Sequence, residues 1–137
     1  MENLLKDILL EHVKSPKNRG LLEKSTHKGN SNNPVCGDVV KIELLIEENV
    51  LVDVGTDGNG CAISQASMSI LSQEIKGENK EKVKNIINSF KNLLGIEGND
   101  SNDILSEEAK ILKFLKSNPS KVRCALLSWE ALEEALS

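Results

Sequence analysis

Aromatic side chains make up only 2% of the 137 residues, as two phenylalanines, one tryptophan and no tyrosine. A packed interior must therefore be built from Leu, Ile, Val and Ala, within a hydrophobic share of 39%. No block of lysine or arginine occurs. The 17 basic residues are outnumbered by 21 acidic ones, for a net charge of −4 and a pI near 5.3. That balance argues against a nucleic-acid partner, which requires a basic face. No apolar run approaches the ~18 residues of a membrane span, so no membrane partner is expected. The opening MENLLKDILLEHVKSPK carries acidic residues and no A-x-A cleavage site, so it does not read as a secretion signal. The expected location is the cytoplasm, where three cysteines serve as free thiols or metal ligands and not as structural disulfides.

What is present falls into short periodic segments. Leu4, Leu5, Ile8, Leu9 and His12 recur at helical spacing, and Ser15-Pro16 ends that helix. Residues 17–38 are rich in Asn, Gly, Ser and Lys and read as loop with one short edge strand. Val40, Ile42, Leu44 and Ile46 then alternate with Lys41, Glu43 and Glu47, which is strand periodicity. Glu47-Glu48-Asn49 can turn the chain, and Val50, Val52 and Val54 alternate again, giving an antiparallel hairpin with one buried face. The run GTDGNG at 55–60 is expected to break the second strand, with a helix from Cys61 to about Ile75. A further helix is expected over Glu81–Leu94, with Val83, Ile86, Ile87, Phe90, Leu93 and Leu94 on its apolar face. GIEGNDSND is a polar connection; short helical pieces follow around 106–115, and a last helix runs from Pro119 to the end. No internal repeat or domain boundary interrupts residues 1–137. The expected fold is one α+β domain, a small antiparallel sheet of about three strands with helices on one side.

Three cysteines stand apart from this framework. Cys36 lies in SNNPVCGDVV, the most turn-prone stretch of the chain, with the Asp38 carboxylate two residues on. A cysteine used for packing sits in an apolar element; this one is presented. Cys61 follows Gly58-Asn59-Gly60 at a helix start, where unpaired N–H groups and the helix dipole favour an anion. Cys124 falls in the first turns of the last helix, between Arg123 and Ala125. Three thiolates and one oxygen or nitrogen donor make a four-coordinate site suited to zinc, or to iron in a cluster. The spacing contains no C-x-x-C pair, so the competing reading is three unrelated small core residues; the glycine-rich settings of Cys36 and Cys61 weigh against it.

The remaining candidates point elsewhere. His12 faces the same side as Leu5 and Leu9 and reads as a satisfied packing residue, and His27 as a solvated loop residue. SQASMS at 64–69 offers hydroxyls but no Ser–His–Asp order, and its small side chains suit close packing against the sheet. Trp129, between Leu126 and Leu132, belongs to the core. GTDGNG lacks the Lys-Ser/Thr of a phosphate-binding loop, which argues against nucleotide binding.

Four motifs in order carry a more specific signal. NPVCGD, GNGCAISQASMSIL and KVRCALLSWEAL resemble the three cysteine motifs of the U-type iron–sulfur cluster assembly proteins. EHVKSPKNRG matches that family's N-terminal H-x-x-x-P-x-N-x-G element through His12, Pro16, Asn18 and Gly20. The resemblance spans nearly the whole chain. It implies a small antiparallel sheet packed with helices, and Cys36, Asp38, Cys61 and Cys124 as the metal and sulfur site. Where the scaffold subgroup has a histidine before the third cysteine, this chain has Arg123. Where that subgroup has Leu-Pro-Pro-Val-Lys, read by a chaperone, this chain has NPSKV, which keeps Lys121. Together with the polar insertion from about Gly95 to Asp103, these departures resemble the zinc-containing SufU subgroup. The implied cofactor is then Zn2+, with a transient 2Fe–2S cluster on the same four residues as the scaffold alternative and a structural zinc module as a third. The implied donor is a pyridoxal-phosphate cysteine desulfurase, and the implied receivers are apo iron–sulfur proteins or downstream assembly machinery. By the same analogy Cys124 attacks the desulfurase persulfide, and Arg123 or Lys121 favours its thiolate unless those charges merely solvate a helix. Asp38, the hardest donor, is the ligand most easily exchanged.

Overall fold

The computed structural model describes residues 2–96 and 104–137, so the part of the polar connection beyond Ile96 lies outside the described residues. The first helix, α1 (Glu2–Lys14), turns Leu5, Ile8 and Leu9 toward the core and ends just ahead of Pro16. Three strands follow: β1 (His27–Asn33), β2 (Asp38–Glu47) and β3 (Val50–Asn59). They form an antiparallel sheet in the order β1-β2-β3. Along β2 the alternation places Asp38, Val40, Ile42 and Leu44 on the buried face and Val39 and Lys41 outside. Glu48 and Asn49 both take positive φ, 50° and 71°, as a two-residue hairpin turn matched to strand twist requires.

The other helices are α2 (Ala62–Ile75), α3 (Lys80–Leu93), α4 (Glu107–Lys110) and α5 (Pro119–Leu136), with a 3₁₀ turn at Ile111–Leu115. α5 lies against β1 and β2, and α2 packs on α5, α1 and β3. Trp129 stacks on Phe90 with ring centroids 4.0 Å apart and planes 8° from parallel. Its indole N–H donates to Ser67 Oγ at 3.1 Å, and the Ser67 hydroxyl donates to the Ala125 carbonyl at 2.6 Å. The small residues of 64–69 thus let α2 approach α5 and α1 closely, as well as the sheet. Among the described residues no helix is long and apolar enough to cross a membrane.

Two expectations need correction. GTDGNG does not break the second strand: β3 continues through it to Asn59, with Gly55 opposite Glu43. These glycines mark close approach. A Cβ on Gly55 would fall 2.5 Å from the Gly20 carbonyl oxygen, where the segment after α1 crosses the strand. One on Gly60 would overlap Ser64 Oγ and lie 2.9 Å from Asp38 Cγ. His27, expected in a loop, heads β1 and is half-buried, its Nδ1 2.8 Å from Thr26 Oγ1. The unpaired edge of β2 recruits this polar segment through main-chain hydrogen bonds, and side-chain patterning contributes little.

Candidate metal centre

The fold brings the start of β2, the start of α2 and the first turns of α5 to one place. Asp38 opens β2, Cys61 is the N-cap of α2, and Cys124 follows the Asn118-Pro119 start of α5. That helix starts where it does because the Asn118 side chain accepts the Lys121 N–H at 3.3 Å and Pro119 suits the first turn. Donor atoms of Asp38, Cys61 and Cys124 all lie within 4.8 Å of one another. Asp38 and Cys124 are buried, 3% and 7% exposed, while Cys61 is open to solvent.

Two observations make this a site that fits a cation. Asp38 Oδ2 is buried with no hydrogen-bond partner among the described residues, a condition that ordinarily costs stability. Cys124 has its thiol pushed up from 9.0 to about 12, first by burial, then by the Cys61 thiol and by the charges of Cys61, Cys36 and Asp38. A divalent ion would relieve both at once, and a carboxylate with thiolates is a donor set that holds zinc or iron.

Cys36 is placed differently. It is exposed, on the turn between β1 and β2, and is not one of the three gathered residues. The side chain of Asn33 holds that turn. Its Nδ2 donates to the Cys36 sulfur at 3.6 Å and its Oδ1 accepts the Val35 N–H at 3.2 Å. Its carbonyl takes the N–H groups of Cys36 and Gly37, at 3.2 and 2.7 Å. Asn33 carries no signal of spacing; an asparagine opening a turn three residues before a cysteine is the pattern that would have flagged it. Arg19 likewise escapes the motifs. Its guanidinium donates to the Gly58 carbonyl and to Gln65 Oε1, both at 2.7 Å, fastening the turn that leads to Cys61.

Lys121 and Arg123 are exposed on different faces of α5. Lys121 lines a groove with Leu9 and Ile63, and Arg123 lines another with Leu94, Ile96 and Leu126. His12 is the satisfied packing residue expected. Its Nδ1 lies 2.6 Å from Ser69 Oγ and its Nε2 2.6 Å from Glu108 Oε1, while Ser69 Oγ also accepts the Lys17 N–H at 2.7 Å. This is a Ser–His–carboxylate chain that the order of residues conceals. Ser69 is only 1% exposed and cannot meet a substrate, so the chain fastens α1 to α2 and α4. His12→Ala is expected to cost about 2–3 kcal/mol by opening a cavity beside buried Ser69 and releasing the half-buried Glu108 carboxylate. Denaturant melts should show that loss, with metal content per folded molecule unchanged.

The NifU-like N terminal domain family model matches residues 4–137. The chain is 33% identical over 138 residues to the zinc-dependent sulfurtransferase SufU of Bacillus subtilis (strain 168), covering 100% of this chain and 92% of that protein. It is 30% identical over 136 residues to the iron–sulfur cluster assembly scaffold protein IscU of Streptococcus pyogenes serotype M1, covering 99% and 84%. In structure it is similar to a candidate SUF-system iron–sulfur cluster assembly scaffold (FiSufU) from Fervidobacterium islandicum AW-1. That comparison has a TM-score of 0.86 at 30% identity, over 96% of this chain and 95% of that one.

Proposed function

The chain belongs to the NifU-like N-terminal domain family, and from that premise we propose that it is an iron–sulfur cluster assembly protein acting as a SufU-like sulfur acceptor. It takes sulfur from a pyridoxal-phosphate cysteine desulfurase and hands it to downstream assembly machinery or apo iron–sulfur proteins, as a single cytoplasmic domain. The observation that carries this reading is the gathering of Asp38, Cys61 and Cys124, with a buried Asp38 oxygen that has no partner among the described residues and Cys36 exposed on the adjoining turn. Zinc held by Cys36, Asp38, Cys61 and Cys124 would, when bound, keep the thiols ionised. Asp38 is the hard donor among soft ones and the one most readily given up. The Cys124 thiolate attacks the outer sulfur of the desulfurase persulfide; a new S–S bond forms on Cys124 and the desulfurase thiolate leaves. Lys121 and Arg123, the two cations of α5, are the residues assigned to favour that thiolate.

Assembly of a 2Fe–2S cluster on the same residues is the second reading, favoured by the 30% identity to the streptococcal IscU and by a donor set that also suits iron. Against it, the residue before Cys124 is Arg123, whose guanidinium has no lone pair to ligate a metal. Metal analysis with visible absorption separates the two, zinc and a colourless solution against iron and a brown one. The sulfur-acceptor reading is tested by mixing the protein with an active desulfurase and free cysteine, then weighing it. Mass is expected to rise in steps of one sulfur atom, mapped foremost to Cys124. Stripping the metal first should reduce loading on Cys124 more than about tenfold, because without a cation that thiol keeps its proton up to about 12. No increment with an active desulfurase would sink the reading.

A further inference from the structure

We propose that Asn33 is the positioning residue for the Cys36 sulfur, setting both where that sulfur stands and how strongly it donates. The inference rests on the reading of Cys36 as a member of the metal and sulfur site. Asn33 closes β1, opposite Asp38 in the last rung of the ladder, and the two side chains share the buried face of the sheet. Each is 3% exposed. A buried amide must find partners for both of its ends, and here the assignment of those ends is fixed. Oδ1 is occupied by the Val35 N–H, which leaves the Nδ2 donor turned to sulfur.

The same residue's carbonyl receives the N–H groups of Cys36 and Gly37. Asn33 therefore grips the cysteine by backbone and by side chain. Cys36, exposed and outside the gathered trio, is tied by these contacts to the residue that pairs with Asp38 across the sheet. An N–H donated to a thiolate withdraws electron density from it, so the tether acts on the donor strength of the sulfur as well as on its place.

Turn shape and sulfur tether are separable by substitution. Asn33→Ser keeps a short side-chain oxygen able to accept the Val35 N–H, but cannot reach the sulfur. Asn33→Ala loses both contacts. The full-length proteins would be loaded with Co2+ to read the thiolate-to-metal absorption band, and with Zn2+ to time release to a chelator. Cys36→Ser serves as the reference. Asn33→Ser and Asn33→Ala are both expected to shift the band and to speed zinc release about tenfold, the scale on which partners of ligands act. Only Asn33→Ala should melt lower in the metal-free form. A parental band and release rate in Asn33→Ser would overturn the inference, leaving Asn33 as a turn former alone. A Cys36→Ser variant with an unaltered band would sink the four-residue site, and this inference with it. A shift in Cys36→Ser with none in Asn33→Ser sinks only the role of Asn33.

Discussion

Cys61→Ser is expected to lower metal affinity more than about a hundredfold while making the metal-free protein more stable. The first effect follows from removing one of three gathered donors, when even outer partners of ligands are worth about 10–100-fold. The second follows from its place at the head of α2. Cys61 has the extended backbone of an N-cap, φ −69° and ψ 169°, but makes no side-chain capping hydrogen bond. A serine hydroxyl there accepts an N–H of the first turn, worth about 1 kcal/mol. Metal titrations and thermal melts begun from one metal-stripped preparation should therefore move in opposite directions. Cys124→Ser should lose metal comparably, without the stabilisation, because Cys124 lies inside α5 and caps nothing. Full metal occupancy in either variant would show that the site is wrongly assigned.

Asp38→Ala should also raise the stability of the metal-free protein, by about 1 kcal/mol, because it removes a buried oxygen that lacks a partner among the described residues. The rival role for Asp38, capping the turn after Gly37, predicts a loss of about the same size. The turn, however, is already capped: the Val35 N–H goes to Asn33 Oδ1, and those of Cys36 and Gly37 go to the Asn33 carbonyl. Metal should still bind the remaining thiolates, about 10–100-fold more weakly, with water completing the shell. Desulfurase-coupled sulfur transfer should fall further than metal content does, since the readily exchanged donor is gone. Metal content, melting temperature and transfer measured on the same preparation decide the matter. Lower stability with unchanged transfer would remove Asp38 from the site.

Much of the molecule was already legible in residue order. The hairpin shows in the alternation of Val40 to Ile46 and Val50 to Val54, because strand periodicity is a property of neighbours two apart. The helices show in the same way, and the four motifs carry the family. Each is a local pattern whose physical cause lies within a few residues.

What the order of residues left undecided depends on segments far apart in the chain. HKGNSNN has no apolar alternation, yet it is β1, because the edge of β2 and the overlying α5 supply its partners. GTDGNG reads locally as a break, and only the backbone at Gly20 and the carboxylate of Asp38 turn its glycines into points of contact within and just beyond a continuous strand. The chemistry of the site is decided the same way. Burial of Cys124 and the lack of a partner for Asp38 Oδ2 among the described residues arise when α5 and α2 close over one end of the sheet. Residue type and spacing name the donors; the dielectric around each donor and its distance to the next exist only once the helices have packed.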